Sequence, residues 1–398
     1  MKVLEIHNFH RKGSASGDDQ VFKSETALLE NYRNYVVKYT VSNDAFDNVG
    51  VIGKLAATFG MLWSFKHYKA VKQIIKNEQP DIVHVHTFFP LLSPSVLYAA
   101  KRSQIKVVVT LHDTRFICPC ATSLCGTELC NKCSDGKYFR MYHNRCFKNS
   151  KLQSLIVAGI FTYHRFRKSF YKQIDRYICL NESQIRLLTE IGFDKDKITR
   201  KYNFVPDAEA NLKAVKIDEL PERYVVFCGR IGEEKGIRIL MKIWDKLPDI
   251  PLVVIGSGPL EKVFQEWANE HENVFFLGYI QHNKCLSIVK RGEFVVFPSI
   301  WYEGCSMVEI EAESLGKGLI ATDLGFSAEA IENGVNGFKI KLGDTDGFQK
   351  CITDLWNKPE LISEIGKNAR LDYEQKYKPE DNYKQLIDIY TKTLGDQI

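Results

Sequence analysis

Short apolar runs separated by longer amphipathic stretches set the rhythm of this chain. In the first half they fall at Val3–His7, Tyr35–Val41, Asp81–His86, Lys106–His112 and Arg176–Leu180. In the second half they fall at Tyr224–Cys228, Pro251–Ile255, Asn273–Leu277, Phe294–Pro298 and Gly318–Thr322. Each run has strand length, and the segments between carry helical spacing. Strand–helix alternation of this kind predicts parallel sheets covered on both faces. The second set is evenly spaced, whereas a long insertion between Asp113 and Arg176 interrupts the first. Asn203 to Glu222, with Pro206, Pro221 and little apolar periodicity, reads as the connection. The expected fold class is α/β, with two doubly wound domains at residues 1–203 and 215–375 and a linker over 204–222. Ligands of such sheets bind outside the carboxyl ends of the strands.

Composition adds bounds rather than identity. The chain has 398 residues, 44% hydrophobic and 26% charged, which supplies two cores. A net charge of +5 is too mild to imply nucleic acid. No export leader is expected at the start MKVLEIHNFH, and no run has the ~20 apolar residues of a membrane span. Eleven cysteines in such a chain are expected as thiols or around a metal. The basic residues are unevenly placed. Residues 137–176 hold ten lysines and arginines against one acid, Asp175, and enclose the apolar run Leu155–Phe161. Lys66, Lys69, Lys72 and Lys76 recur at helical spacing among Leu62, Trp63, Phe65 and Ile74, within the stretch 54–76. Two readings stay open for both stretches: solvated helix faces, or surfaces for anionic lipid.

Two segments carry candidate chemistry. In Pro298-Ser-Ile-Trp-Tyr-Glu303-Gly304-Cys305-Ser306-Met307-Val-Glu-Ile-Glu311, a strand ends at Pro298 and a helix is expected from about Gly304. The unpaired N–H groups of a helix start suit a phosphate. Glu303 precedes them, and Glu311 lies two turns on, where a carboxylate can accept from two vicinal hydroxyls such as those of a ribose. In Cys228-Gly229-Arg230-Ile-Gly-Glu-Glu-Lys235-Gly236, glycines allow close backbone approach, and two cations suit a diphosphate. The turns Gly256-Ser-Gly258-Pro259 and Gly278-Tyr279 also follow strands. Taken singly, each motif also reads as an acidic first helical turn or a surface glycine turn.

Together, and in this order, these motifs resemble the GT-B-fold retaining glycosyltransferases of family four. Glu303 and Glu311 match the family's E-x7-E pair, and Gly229, Arg230, Lys235 and Gly236 match its G-R…K-G. Gly256, Gly258 and Pro259 match its G-x-G-P turn. Ala321, Thr322, Asp323, Gly325, Glu329, Gly334, Asn336 and Gly337 match its later pattern. Pro80–His86 is similar to its amino-domain strand, and Thr110-Leu-His112-Asp113 to the segment with its donor-site histidine. The resemblance implies two Rossmann-like domains facing across a cleft, with a helix near 376–398 returning to the first through Tyr383, Leu386, Ile387, Ile389 and Tyr390. It implies that Arg230 and Lys235 hold a nucleotide diphosphate, that Glu311 binds the ribose, and that Glu303 and His112 contact the donor sugar. Gly17, Gly229, Gly256, Gly278, Gly304, Cys305, Ser306 and Met307 complete the implied donor site. Transfer with retention, no catalytic metal, and a UDP-sugar ahead of a GDP-sugar are expected. The expected acceptor is a saccharide or polyprenyl-linked hydroxyl in bacterial surface polysaccharide assembly, at the inner face of the membrane.

This chain departs from the family pattern at three turns. Gly304-Cys305-Ser306 replaces Gly-Phe-Gly, Ser16-Gly17 replaces the amino-terminal Gly-Gly, and Asp323-Leu324-Gly325-Phe326 lacks a second glycine. The insertion carries Cys118, Cys120, Cys125, Cys130, Cys133 and Cys146. Cys130-x2-Cys133 has metal-ligand spacing. A family subgroup has a similar pattern, matched by Cys118, Cys130, Cys133 and Cys146, so a structural zinc and buried thiols are both open. His84 and His86 share one strand face and read as packed residues. A nucleotide-sugar epimerase or hydrolase, and a non-catalytic partner subunit, are the alternative functions.

Overall fold

The computed structural model describes residues 1–11, 16–46, 60–126, 128–210, 212 and 220–395. The chain divides into two compact units, one of residues 1–125, 130–202 and 382 onward, the other of 203–381 with 126–129.

The first unit is built on a six-stranded parallel sheet. Its strands are β1 (Lys2–Phe9), β2 (Tyr35–Ser42), β3 (Ile82–Val85), β4 (Lys106–Leu111), β5 (Arg176–Cys179) and β6 (Ile198–Arg200). They lie in the order β2-β1-β3-β4-β5-β6. The helices are α1 (Gly17–Asn31), α2 (Phe65–Glu78), α3 (Ser95–Arg102), α4 (Lys151–Phe166) and α5 (Glu182–Glu190). Ser64, Ser150 and Asn181 cap α2, α4 and α5 by accepting from the N–H three residues on. The strand period of two sorts the core. Leu4, Ile6, Val83, Val85, Val107 and Val109 face one large cluster. Val3, Ile82, Val108 and Ile178 face the other side, under Leu29 of α1 and Leu386, Ile389 and Tyr390 of the C-terminal helix (Pro379–Gly395). That second face turns polar toward the strand ends: Glu5, His84, His86 and Thr110 are buried on it.

The second unit repeats the plan more regularly. Its strands are β7 (Val225–Cys228), β8 (Leu252–Ile255), β9 (Val274–Phe276), β10 (Val295–Phe297), β11 (Leu319–Thr322) and β12 (Gly337–Ile340). They lie parallel in the order β9-β8-β7-β10-β11-β12. The order reverses between β7 and β10, which opens a crevice at their carboxyl ends. The helices are α6 (Ile237–Trp244), α7 (Glu261–Ala268), α8 (His282–Arg291), α9 (Met307–Ser314), α10 (Gly325–Ala330), α11 (Thr345–Trp356) and α12 (Pro359–Lys376). In α6 the spacing of Ile237, Leu240, Ile243 and Trp244 buries one stripe, while Arg238 and Lys242 stay outside it. Phe204, Val205 and Ala208 are buried, and Asn203 donates to the Cys305 carbonyl at 2.8 Å.

Ten strands lie where the apolar runs predict them, each within a residue or two at its ends. The edge strands β6 and β12 were not expected. Ile198-Thr-Arg200 and Gly337-Phe-Lys-Ile340 are short and half polar, because an edge strand needs little apolar surface. The helix expected from Gly304 starts at Met307 instead, because Ser306 takes the N-cap and accepts from Glu309 N–H at 3.4 Å.

Candidate active site

In the second unit, three glycine turns are stitched together at the ends of β7, β8 and β9. Gly229 N–H donates to the Ile255 carbonyl, Ile231 N–H to Ser257 and Gly256 N–H to Gly278, all within 2.9–3.0 Å. Contact at this range excludes side chains: a Cβ on Gly256 would stand 1.8 Å from the Gly229 oxygen. Gly236 makes the next junction. It has φ +71°, and a Cβ there would stand 1.8 Å from the Pro298 oxygen. The end of β10 is thereby drawn against the turn that carries Lys235.

The result is an ion pair. Lys235 Nζ lies 2.6 Å from Glu303 Oε1, and Ser299 Oγ donates to the same oxygen at 2.6 Å. Lys235 also sits over the rings of Phe297 and Trp301, at 5.1 and 5.3 Å. Arg230 is more exposed and reaches Glu234 at 3.6 Å. Met307 and Val308 open α9, in the first turn, whose N–H groups have no acceptor within the helix itself. Glu311, one flank along, is desolvated, which lifts its carboxyl to about 7, and it lies 3.5 Å from His282 Nε2. One strand end therefore gathers Gly229, Arg230, Lys235, Gly256, Gly278, Glu303, Gly304, Ser306, Met307 and Glu311. Cys305 is turned elsewhere: it is buried, and its carbonyl and sulfur accept from Asn203.

Sequence reasoning missed Glu309. It lies on α9 and is fully buried, and burial followed by the Glu303 charge lifts its carboxyl to about 8. The signal was present, since Glu309 and Glu311 cannot both face solvent on a helix packed into a sheet.

In the first unit, His112 follows β4 and is half-buried. Its ring lies nearly parallel to that of His86 and edge to edge with it, with centroids 5.2 Å apart and Nε2 3.0 Å from His86 Nδ1. Gly17 opens α1 beside Asp18, which accepts from Thr87 at 3.1 Å, while Gly13 lies outside the described residues. Burial opposes the charge on Asp18, yet His10 and the hydrogen bond from Ser16 draw its carboxyl below the usual range. In the insertion, Cys133 lies close enough to Cys118, Cys146 and Cys130 to feel their charges, and burial pushes its thiol up to about 12. Cys118 and Cys133 are buried, and Cys120, which the zinc reading leaves out, pairs with Cys118 and Cys146. Among the described residues, two groups bring three or more metal-type ligand atoms within 4.8 Å: Glu5–Glu25–His84–His86 and His10–Asp18–Asp19. Neither contains a cysteine.

Residues 209–372 match the family described as glycosyl transferases group 1, and residues 35–209 match glycosyltransferase family 4. The chain belongs to the group 1 glycosyltransferases. The glycosyltransferase is 24% identical over 339–340 residues to relatives such as the N-acetyl-alpha-D-glucosaminyl L-malate synthase of Bacillus anthracis, covering 81% of this chain and 78% of that one. It is 28% identical to the capsular polysaccharide biosynthesis glycosyltransferase CapM of Staphylococcus aureus, over 44% of this chain and 48% of that one. Among solved structures, Anabaena HepE in complex with UDP superimposes with a TM-score of 0.66 at 16% identity, over 98% of this chain and 100% of that one. The fold of the glycosyltransferase is thus GT-B, with its two parallel six-stranded sheets. No helix among its described residues is long and apolar enough to cross a membrane.

Proposed function

We propose that this glycosyltransferase transfers a sugar, with retention, from a nucleotide-diphosphate donor to a hydroxyl of a saccharide or polyprenyl-linked acceptor. The carrying observation is the Lys235–Glu303 pair at 2.6 Å, set beside Arg230, three glycine turns and the open N-terminus of α9. As the bond to the leaving diphosphate stretches, negative charge grows on its oxygens. Arg230, Lys235 and the Met307 and Val308 N–H groups are fixed positive partners for that charge. Glu311 accepts from the ribose hydroxyls, and Glu303 and His112 meet the sugar. Among the described residues no side chain is assigned as the base for the acceptor hydroxyl, and the departing phosphate oxygen takes that task. HepE complexes with UDP and UDP-glucose support a UDP-sugar ahead of a GDP-sugar. The likeness to CapM, a capsular polysaccharide biosynthesis glycosyltransferase, supports a place in polysaccharide assembly.

The test is a panel of nucleotide sugars with and without acceptor. Consumption of a UDP-sugar only when acceptor is present supports transfer. Equal consumption without acceptor points to an epimerase or hydrolase, and no consumption or binding of any donor points to a non-catalytic subunit.

We also propose that the first unit rests on anionic lipid at the cytoplasmic face. Phe65 is 71% exposed and Phe166 84%. With Trp63, Tyr98, Tyr163, Arg102 and Arg167, Phe65 lines a cavity of about 370 Å³. Lys66, Lys69, Lys72 and Lys76 are exposed along α2.

A further inference from the structure

The polar half of the first sheet's covered face has a charge count that points to a proton. Glu5, Glu25, His84 and His86 are all buried there. His86 Nε2 lies 3.2 Å from Glu5 Oε2 and 3.3 Å from Glu25 Oε1. Lys201 Nζ reaches Glu25 Oε2 at 2.7 Å and Asn382 at 2.9 Å. Tyr390 Oη bonds His84 Nδ1 at 2.7 Å and Glu5 at 3.2 Å, and His84 Nε2 meets Thr110 at 2.8 Å. Two buried carboxylates against one lysine leave one negative charge without balance. An uncompensated charge in such a site costs several kcal/mol on the order of magnitude. One proton on His86 closes the count, whereas a divalent cation would overshoot it.

A doubly protonated His86 has no lone pair, so the 3.0 Å contact with His112 has one polarity. His86 Nδ1–H must donate and His112 Nε2 must accept. His112 is then a neutral ring whose hydrogen sits on Nδ1. We infer that His86 is a positioning residue, held between Glu5 and Glu25, which fixes the tautomer and plane of His112 so that Nδ1–H is the atom offered to the donor sugar. The last clause rests on the donor-site reading above; the proton arrangement does not.

The charges around both rings agree. Burial works against a charged His86, but the close carboxylates of Glu25 and Glu5 carry it up to about 9. Burial, then the His86 charge, pushes His112 down to about 3. Asp18 and Glu25 of α1 act on His112 in the opposite sense, and His7 of β1 adds to the His86 effect. His7 and Phe22 pack edge-on to His86, and His7 Nε2 in turn meets Asp19 Oδ1 at 2.8 Å.

The decisive experiment is nitrogen NMR of the full chain with labelled histidine rings at pH 7.5. His86 and His112 are assigned by the signals lost in His86→Asn and His112→Gln. The expected result is an imidazolium at His86 and a neutral Nδ1–H ring at His112. A neutral His86, or an Nε2–H tautomer at His112, overturns the inference on the native protein. Kinetics supply the second arm. His86→Leu removes the donor, and kcat is expected to fall on the order of 10²-fold with donor KM nearly unchanged. His86→Asn restores an N–H near the Nδ1 position and is expected to recover about tenfold of that loss. Equal impairment of both folded variants, or none in either, refutes the positioning role. If the NMR result is as expected but His112→Ala transfers normally, the donor-site reading fails and the positioning role falls with it, although the proton arrangement stands.

Discussion

Lys235 Nζ and Glu303 Oε1 are 2.6 Å apart, so the cation proposed for the diphosphate and the carboxylate proposed for the sugar form one ion pair. A donor phosphate must therefore compete with Glu303 for Lys235. Glu303→Gln should release Lys235 and bind UDP at least as tightly as the native enzyme, yet transfer sugar poorly. Lys235→Ala should weaken UDP binding and lower kcat by roughly 10²–10³-fold. Calorimetric titration with UDP and initial rates check both. Weaker UDP binding in Glu303→Gln would show that the pair acts as a unit rather than in competition.

Glu309 makes stability depend on pH. Its carboxyl titrates near 8 in the fold and near 4.5 when unfolded. Between those values the folded state holds the extra proton, so this contribution is full below about pH 4.5 and is lost as pH rises through 8. Each pH unit across the window removes about 1.4 kcal/mol at most. Glu309→Gln cannot lose the proton. Its melting temperature should match the native value near pH 5 and exceed it at pH 8.5, in scans over the same buffers. A constant difference across pH would show that Glu309 does not titrate in this window.

How much of this was legible in the sequence differs between the two units. In the second, the runs at Val225–Cys228 and Val295–Phe297 and the turns after them marked both the strands and the residues proposed for the donor, because buried parallel strands must be apolar and turns that approach phosphate favour glycine. Arg230, Lys235, Glu303 and Glu311 follow in order along those turns. In the first unit the informative residues sit inside the strands. Glu5 and His84 occupy positions where the apolar alternation of Val3 and Ile82 should continue, and that break was the available sign of a buried polar network. Its closure depends on Lys201, Asn382 and Tyr390, which lie far away in sequence and have no local pattern. The cysteine spacing left a four-sulfur site and buried thiols both open, and it gave no sign that Cys120 would lie close to Cys118 and Cys146. Spacing fixes reach along the chain, not the direction of each Sγ.

The C-terminal helix should be a structural part of the first unit. Leu386 and Ile389 are buried against Val3, Ile82 and Ile178. Leu386→Ala should destabilise by about 2–5 kcal/mol through lost burial and a cavity. Tyr390→Phe keeps the ring and removes only the hydroxyl that bonds His84 and Glu5, so a loss of about 1–2 kcal/mol is expected. Urea unfolding followed by fluorescence measures both. A Tyr390→Phe variant as stable as the native protein would mean that His84 and Glu5 find another partner.

Membrane attachment is the prediction that separates two readings of the same surface. A solvated helix face needs lysines, but it does not need Phe65 and Phe166 exposed at 71% and 84%. An interfacial surface needs both, because aromatic rings enter the headgroup layer while cations meet its negative charge. Each lysine or arginine near an anionic surface contributes about 1 kcal/mol, screened over about 10 Å at 0.1 M salt. Lys66, Lys69, Lys72 and Lys76 together should give weak, reversible binding. Flotation with vesicles of mixed anionic and neutral lipid should carry the protein at low salt, and less of it as salt rises. Neutral vesicles should carry little. Phe65→Ser with Phe166→Ser should reduce binding at every salt concentration, because the apolar contribution is not screened. Replacing Lys69 and Lys72 by Gln should reduce binding mainly at low salt. Transfer to a soluble acceptor should be unaffected by either pair, since these side chains lie outside the proposed donor site. If native protein stays with the solvent fraction on anionic vesicles at low salt, the lysines are a solvated face and the lipid reading fails.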